Sequence, residues 1–163
     1  HVSCASGTAL GPDVKLFHDC AAPEFVLRQV RNGGAADQAP FGVSVEVFAL
    51  DGTFLSIVID LPEAAARSLR LRHVLGLTLE TTVERPAEVL ARLNIRHGPN
   101  TEQIARSLPL GQGSAVAEFD LAYSKVNEKR VEAAWIDLIL GGVPMNRILI
   151  RDAVLTRRPR AEL

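Results

Sequence analysis

Aromatic residues make up only 5% of the 163 residues: six Phe, one Tyr and one Trp. That scarcity excludes the broad stacking platforms of single-strand nucleic-acid binders. Cysteine numbers two, which excludes a disulfide framework and a four-thiolate metal site. Cys4 and Cys20 read as reduced, partly buried thiols rather than a bridge. The histidines at 1, 18, 73 and 97 lack ligand spacing, and no C-x-x-C, H-E-x-x-H, phosphate loop, dinucleotide fingerprint or G-x-S-x-G occurs. An excess of one charge is also missing. Lys and Arg total 18 against 19 Asp and Glu, a formal net charge of -1, so nothing draws the whole chain to nucleic acid or anionic lipid. No apolar run reaches the roughly 18 residues a spanning helix needs. The longest, Ala133 to Val143, is broken by Asp137, Gly141 and Gly142. The expectation is therefore no nucleic-acid partner and no membrane insertion.

What is present is ordinary globular composition, 47% hydrophobic and 23% charged, in a chain long enough for a sizeable core. The first residue is His1, not Met, so we expect one β-sandwich domain over 1–163, the C-terminal part of a longer chain, of open compartment. The dominant pattern is period-two alternation, the mark of half-buried strands. It runs through Val14 to Cys20, Phe25 to Val30, and Val43, Val45 and Val47. Asp51-Gly52 is hairpin-turn chemistry, and predicts that Gly42 to Leu61 forms a hairpin. Pro62 to Leu69, with proline, an acid and alanines, predicts a short helix. His73 to Val83 alternates again, with Leu75, Leu77 and Leu79 on one face, and so does Val89 to Arg96. Asn100 and Gln103 fit a capping pair for a helical turn or two through Leu108. Ala117, Phe119, Leu121 and Tyr123 share one strand face. Trp135 to Leu140 fits helix or core strand, and its Gly-Gly link to the clear strand Asn146 to Leu155 favours strand. On that last strand Ile148, Ile150 and Val154 share a face, and the basic run Thr156 to Arg160 reads as a solvated tail. Eight or nine strands at short spacing, without long helices between them, predict an all-β antiparallel β-sandwich of jelly-roll type with one or two short helices.

From Leu69 onward the order of strands resembles the galactose-binding-like jelly rolls, including many carbohydrate-binding modules. The residues that carry it are Glu118-Phe119-Asp120-Leu121, Ala134 to Leu138, and Ile148 to Leu155, whose Asp152 matches an apolar-x-apolar-x-Asp final strand. A closer resemblance is to an uncharacterised family of bacterial, alphaproteobacterial-type proteins. It rests on Phe17-His18-Asp19-Cys20, Leu27 to Asn32, Ala39 to Gly42, Leu93 to Gln103 and Val126 to Val131. The first resemblance implies a carbohydrate ligand and a structural calcium held partly by Asp152. The second implies no assigned activity.

Several polar groups invite a functional reading, each beside a plainer one. Arg92, Asn94 and Arg96 share a face of one strand, and Glu118 and Asp120 a face of another. Were the two strands to face the same way, guanidinium groups would stand opposite carboxylates, as a ligand-binding face that grips sugar hydroxyls or as a solvated sheet face with ion pairs. His97 opens the loop His97 to Asn100, which with Asn127 to Arg130 forms either a rim site or a capped connection. Trp135 could be a stacking platform, yet as a single large aromatic in an apolar strand it reads as core, and so does Tyr123. His18 and Cys20 lie about 6.6 Å apart on one strand face, too far for the roughly 3 Å nucleophile–base bond. Glu118, Asp120 and Asp137 offer a glycosidase pair only in the sense that many surface carboxylates do. The chain thus reads as a non-catalytic, carbohydrate-binding-like domain, with Arg92, Asn94, Arg96, His97, Glu118 and Asp120 as contacting residues. Apart from that calcium, no cofactor is expected. The alternatives are a protein-interaction or accessory subunit and, last, a glycan-active hydrolase.

Overall fold

Period-two alternation carries most of the chain into strands. The computed structural model describes residues 8–11, 14–18, 24–31, 41–49, 55–140 and 146–161. In order these form β1 (Thr8–Gly11), β2 (Val14–His18), β3 (Glu24–Arg31), β4 (Phe41–Ala49), β5 (Leu55–Asp60), α1 (Glu63–Arg67), β6 (His73–Val83), β7 (Ala87–His97), β8 (Asn100–Leu110), β9 (Gly113–Asp120), a 3-10 turn (Leu121–Tyr123), β10 (Val131–Ile139) and β11 (Asn146–Pro159). Two antiparallel sheets result, with strand orders β1-β2-β5-β10-β7-β8 and β3-β4-β11-β6-β9. The fold is an all-β jelly-roll sandwich. The expected helix and the strand reading of Trp135 to Leu140 both hold. No described helix is long and apolar enough to cross a membrane.

The inward halves of the alternating strands build one core. Leu55, Ile57, Leu93, Ile95, Ile136 and Leu138 come from the larger sheet, and Val45, Leu75, Leu77, Leu79, Phe119 and Ile148 from the smaller. Burying a side chain of this size contributes about 1.5–3 kcal/mol, which is why register is firmly held where one face is apolar.

Five expectations are corrected. Gly42 to Leu61 is not a hairpin: β4 pairs with β3 and β11, while β5 pairs with β2 and β10 in the other sheet. Alternation names the inward face of a strand but not its partner. The Asp51-Gly52 turn itself lies outside the described residues, as do Cys4, Asp19, Cys20 and the side chain of His18. Residues 100–110 are not helical but form β8, joined to β7 by a tight turn in which His97 pairs with Asn100. Gly98 takes φ 56°, the positive φ that hairpin turns use, so the capping pattern of Asn100 and Gln103 is overridden. Val154 does not share a face with Ile148. A register shift at Arg151 flips the strand, leaving Val154 45% exposed and turning Leu155 onto the core. The basic run is no tail, because Arg157 and Arg158 continue β11 opposite Leu75 and Val74. Tyr123 is 79% exposed, in the 3-10 turn that takes it off the strand face.

Candidate functional site

The outward half of the six-stranded sheet carries a groove of about 610 Å³ among the described residues. Its lining residues are spaced by two along their strands: Lys15 and Phe17 on β2, Ser56, Val58 and Asp60 on β5, Trp135, Asp137 and Ile139 on β10, and Arg92 on β7. Register aligns them into three rows. Phe17, Ser56 and Ile139 form one, Lys15, Val58, Asp137 and Arg92 the next, and Asp60, Trp135, Asn94 and Gln103 the third. The first row is largely carbon and the second is charged. The third sets the indole of the only tryptophan between a carboxylate and a carboxamide.

Asp137 organises the charged row. Its Oδ2 accepts from Arg92 Nε at 3.2 Å, Arg92 Nη2 at 2.9 Å and Asn94 Nδ2 at 3.0 Å. Asn94 Oδ1 in turn accepts from Gln103 Nε2 at 3.0 Å. Three donors on one buried carboxylate oxygen compensate the loss of water. Asp137 Oδ1 and Arg92 Nη1 take no part in these bonds. An acceptor and a donor so arranged suit a hydroxyl, which gives one hydrogen bond and takes another. A second, more polar groove of about 730 Å³ adjoins the first and shares Asp60; Arg96, Arg130 and Glu132 line it.

The residues expected to form one face are divided between the two sheets. Arg92 lines the first groove, Asn94 lies buried beside it, and Arg96 lines the second, paired with Glu132 at 3.2 Å. Glu118 and Asp120 stand on β9 of the other sheet, so the expected row of arginines opposite these carboxylates does not form. They pair instead with Arg158 and Arg160, at 3.2 and 3.1 Å. Arg160 also lies over the Tyr123 ring, 4.8 Å from its centroid, a cation–π contact. The same division separates Asp137 from Glu118 and Asp120, so of the three carboxylates only the latter two stay together, on β9.

His97 is buried and spent on structure: its Nδ1 accepts from the Asn127 amide at 3.1 Å. Glu128 accepts from the Leu71 amide at 2.8 Å, and the Arg130 amide donates to the Asn127 carbonyl at 3.0 Å. Residues 127–130 thus cap the β7–β8 turn. Asp152 lies at the β11 register shift and accepts from the Ala153 amide at 2.9 Å. Among the described residues no group of three or more His, Cys, Asp or Glu is placed to hold a metal ion, so no such cluster surrounds Asp152.

Trp135, expected in the core, faces outward into the groove, because Ala134 and Ile136 take the inward positions. Lys15, Phe17, Ser56, Val58, Asp60 and Ile139 were not singled out from sequence. Their only local signal is position: each alternates with an inward apolar residue. That β2, β5, β10 and β7 lie side by side is a long-range fact.

A family model described as a family of unknown function, DUF6478, matches residues 1–163. No curated protein matches the sequence. Among solved structures, a family 11 carbohydrate-binding module from Clostridium thermocellum, in complex with a beta-1,3-1,4-mixed-linked tetrasaccharide, is similar at TM-score 0.59 and 9% identity, over 96% of this chain and 94% of that one. A CBM4 structure is similar at TM-score 0.57 and 13% identity, over 94% and 92%. The enzymatically active domain of Bacteriophage CBA120 tailspike protein 4 reaches TM-score 0.62 at 9% identity, over 90% of this chain but 20% of that one. At such identities the likeness is one of fold.

Proposed function

The chain belongs to the family of unknown function DUF6478, and from that premise we propose that it binds carbohydrate without transforming it, in the groove on the outer face of its six-stranded sheet. The observation that carries this reading is Trp135. The one tryptophan of an aromatic-poor chain lines an open groove, in register with Asp60 and one same-face row from the Arg92–Asp137 bridge. An indole face beside paired donors and acceptors matches a sugar ring, which has an apolar face and hydroxyls around its edge. The groove's charges balance, Lys15 and Arg92 against Asp60 and Asp137, which favours a neutral glycan.

Support from the comparisons is at the level of fold: several similar structures are carbohydrate-binding modules. The test is a glycan array followed by titration. Trp135→Ala is expected to weaken binding at least about fivefold, since one stacked ring contributes about 1–3 kcal/mol. Undiminished binding by this variant, with loss in a Glu118→Ala variant, would move the site to the other sheet. One observation favours protein docking as the second reading. Val116 and Val154, 58% and 45% exposed, flank Thr78 in a row on the smaller sheet. Under that reading no glycan binds, and Val116→Glu disrupts a stoichiometric complex.

A further inference from the structure

The groove contains a group that the Trp135 and Asp137 cluster does not use. Ser56 is 6% exposed, and its Oγ lacks a hydrogen-bond partner among the described residues. Buried hydroxyls are nearly always paired, so an orphan lining a groove marks where a ligand atom belongs. Its cross-strand neighbours are Phe17 on β2 and Ile139 on β10, neither of which can give or take a hydrogen bond through its side chain. Val58 lies one row away, and Phe17 is 36% exposed. The two ends of the groove therefore differ in chemistry. Asp60, Asp137 and Arg92 offer several polar atoms to a ring rich in hydroxyls. The Phe17 end offers one hydroxyl within carbon walls.

A bare sugar edge fits that second end poorly, because only one of its hydroxyls would find a partner there. An acetyl group fits well: one carbonyl oxygen to accept, one methyl to bury. We infer that the Phe17–Ser56–Ile139 row is a subsite for an acetyl group carried by the glycan. The Ser56 hydroxyl donates to the acetyl carbonyl oxygen, and the methyl packs on Phe17, Val58 and Ile139. The inference rests on the glycan reading and deepens it, by making the ligand class an acetylated saccharide. An acetyl on nitrogen, as an acetamido group, and one on oxygen, as an ester, present the same carbonyl and methyl.

The test is calorimetric titration of wild type and Ser56→Ala with two matched pairs. One pair is N-acetylated chitotetraose and cellotetraose, which share a backbone and differ in the acetamido group. The other is O-acetylated xylotetraose and its alkali-deacetylated form, and a wider panel of polysaccharides runs alongside. Wild type is expected to prefer the acetylated member of one pair about tenfold, the worth of one hydrogen bond and one buried methyl. The pair that responds assigns amide or ester. Ser56→Ala should cut the preference to the few-fold owed to the methyl, keep the affinity for the unsubstituted member, and melt at the wild-type temperature, since Oγ has no partner to lose among the described residues. Ile139→Ser, which opens the carbon wall, should reduce the same preference. Equal wild-type affinity within both pairs, binding confined to unacetylated glycans, or a preference undiminished in Ser56→Ala would overturn the inference while leaving the glycan reading intact. Failure of every glycan in the panel to bind, with Trp135 fluorescence unchanged throughout, would sink the glycan reading itself.

Discussion

Single residues here divide into those that hold the fold and those left facing the groove. Arg92 does both. Its removal would leave Asp137, whose side chain is 10% exposed, with only the Asn94 amide. Arg92→Ala is expected to cost about 1–3 kcal/mol in urea unfolding, toward the low end because the guanidinium is itself partly solvated. Arg92→Lys should recover part of that loss, since an ammonium lacks the two-pronged contact. His73 supplies a pH signature. Burial, then the charges of Arg157, Arg72 and Arg70, hold its pKa below the ordinary 6.5, against a small opposing pull from Glu128. The neutral ring fits its place, with Nδ1 accepting from the Arg70 amide at 2.9 Å. The unfolded chain therefore binds the extra proton first as pH falls through 6.5. Stability is lost below that value and is flat in this respect above it. His73→Gln should flatten this part of the pH dependence, read as the difference between wild-type and variant denaturation midpoints from pH 7.5 to 5.

At the level of elements, turns and bulges decide what alternation leaves open. Gly98 holds φ 56° at the β7–β8 turn, and a Cβ there would lie 2.9 Å from Arg130 Cζ. The guanidinium ends a flexible side chain and can move, so backbone strain sets the cost. Gly98→Ala is expected to lose about 1–2 kcal/mol, measured by thermal unfolding. The β11 register shift makes the matching point for a strand. Arg151 is the extra residue between the pairs Ile150–Thr81 and Asp152–Glu80. Deleting it would remove the bulge and keep the pairing from Asp152 onward, so Leu155 stays inward and Val154 outward, and the urea midpoint is expected to stay close to wild type. Both devices explain what was illegible locally. A capping pair at Asn100 and Gln103 is real as a pattern, but eleven paired residues between β7 and β8 outweigh it. The placing of Val154 with Ile148 failed because a bulge leaves no compositional mark at Arg151.

At the scale of the whole molecule, neighbours in space matter more than neighbours in sequence. The groove draws on β2, β5, β7 and β10, whose residues run from Lys15 to Ile139. Because Trp135 is the only tryptophan and lines that groove, intrinsic fluorescence reports on it directly. Emission in the folded protein should be quenched by acrylamide, and a stacking glycan should shield it; a fully protected indole would contradict the groove geometry. The all-β class, the short helix, the inward faces of His73 to Val83 and Val89 to Ile95, and the strand at Trp135 were legible in the sequence. Period two and turn chemistry are written within a few residues, and burial enforces them wherever one face is apolar. Strand partners were not legible. Arg92 and Glu118 read as one charged face until the sheets were known, and they prove to lie on opposite sides of the sandwich. The sequence by itself determined which residues point inward along the regular strands β6 and β7. Only the tertiary structure decided which outward residues stand together, because sheet pairing joins segments that no local pattern connects, and the groove exists only in that pairing.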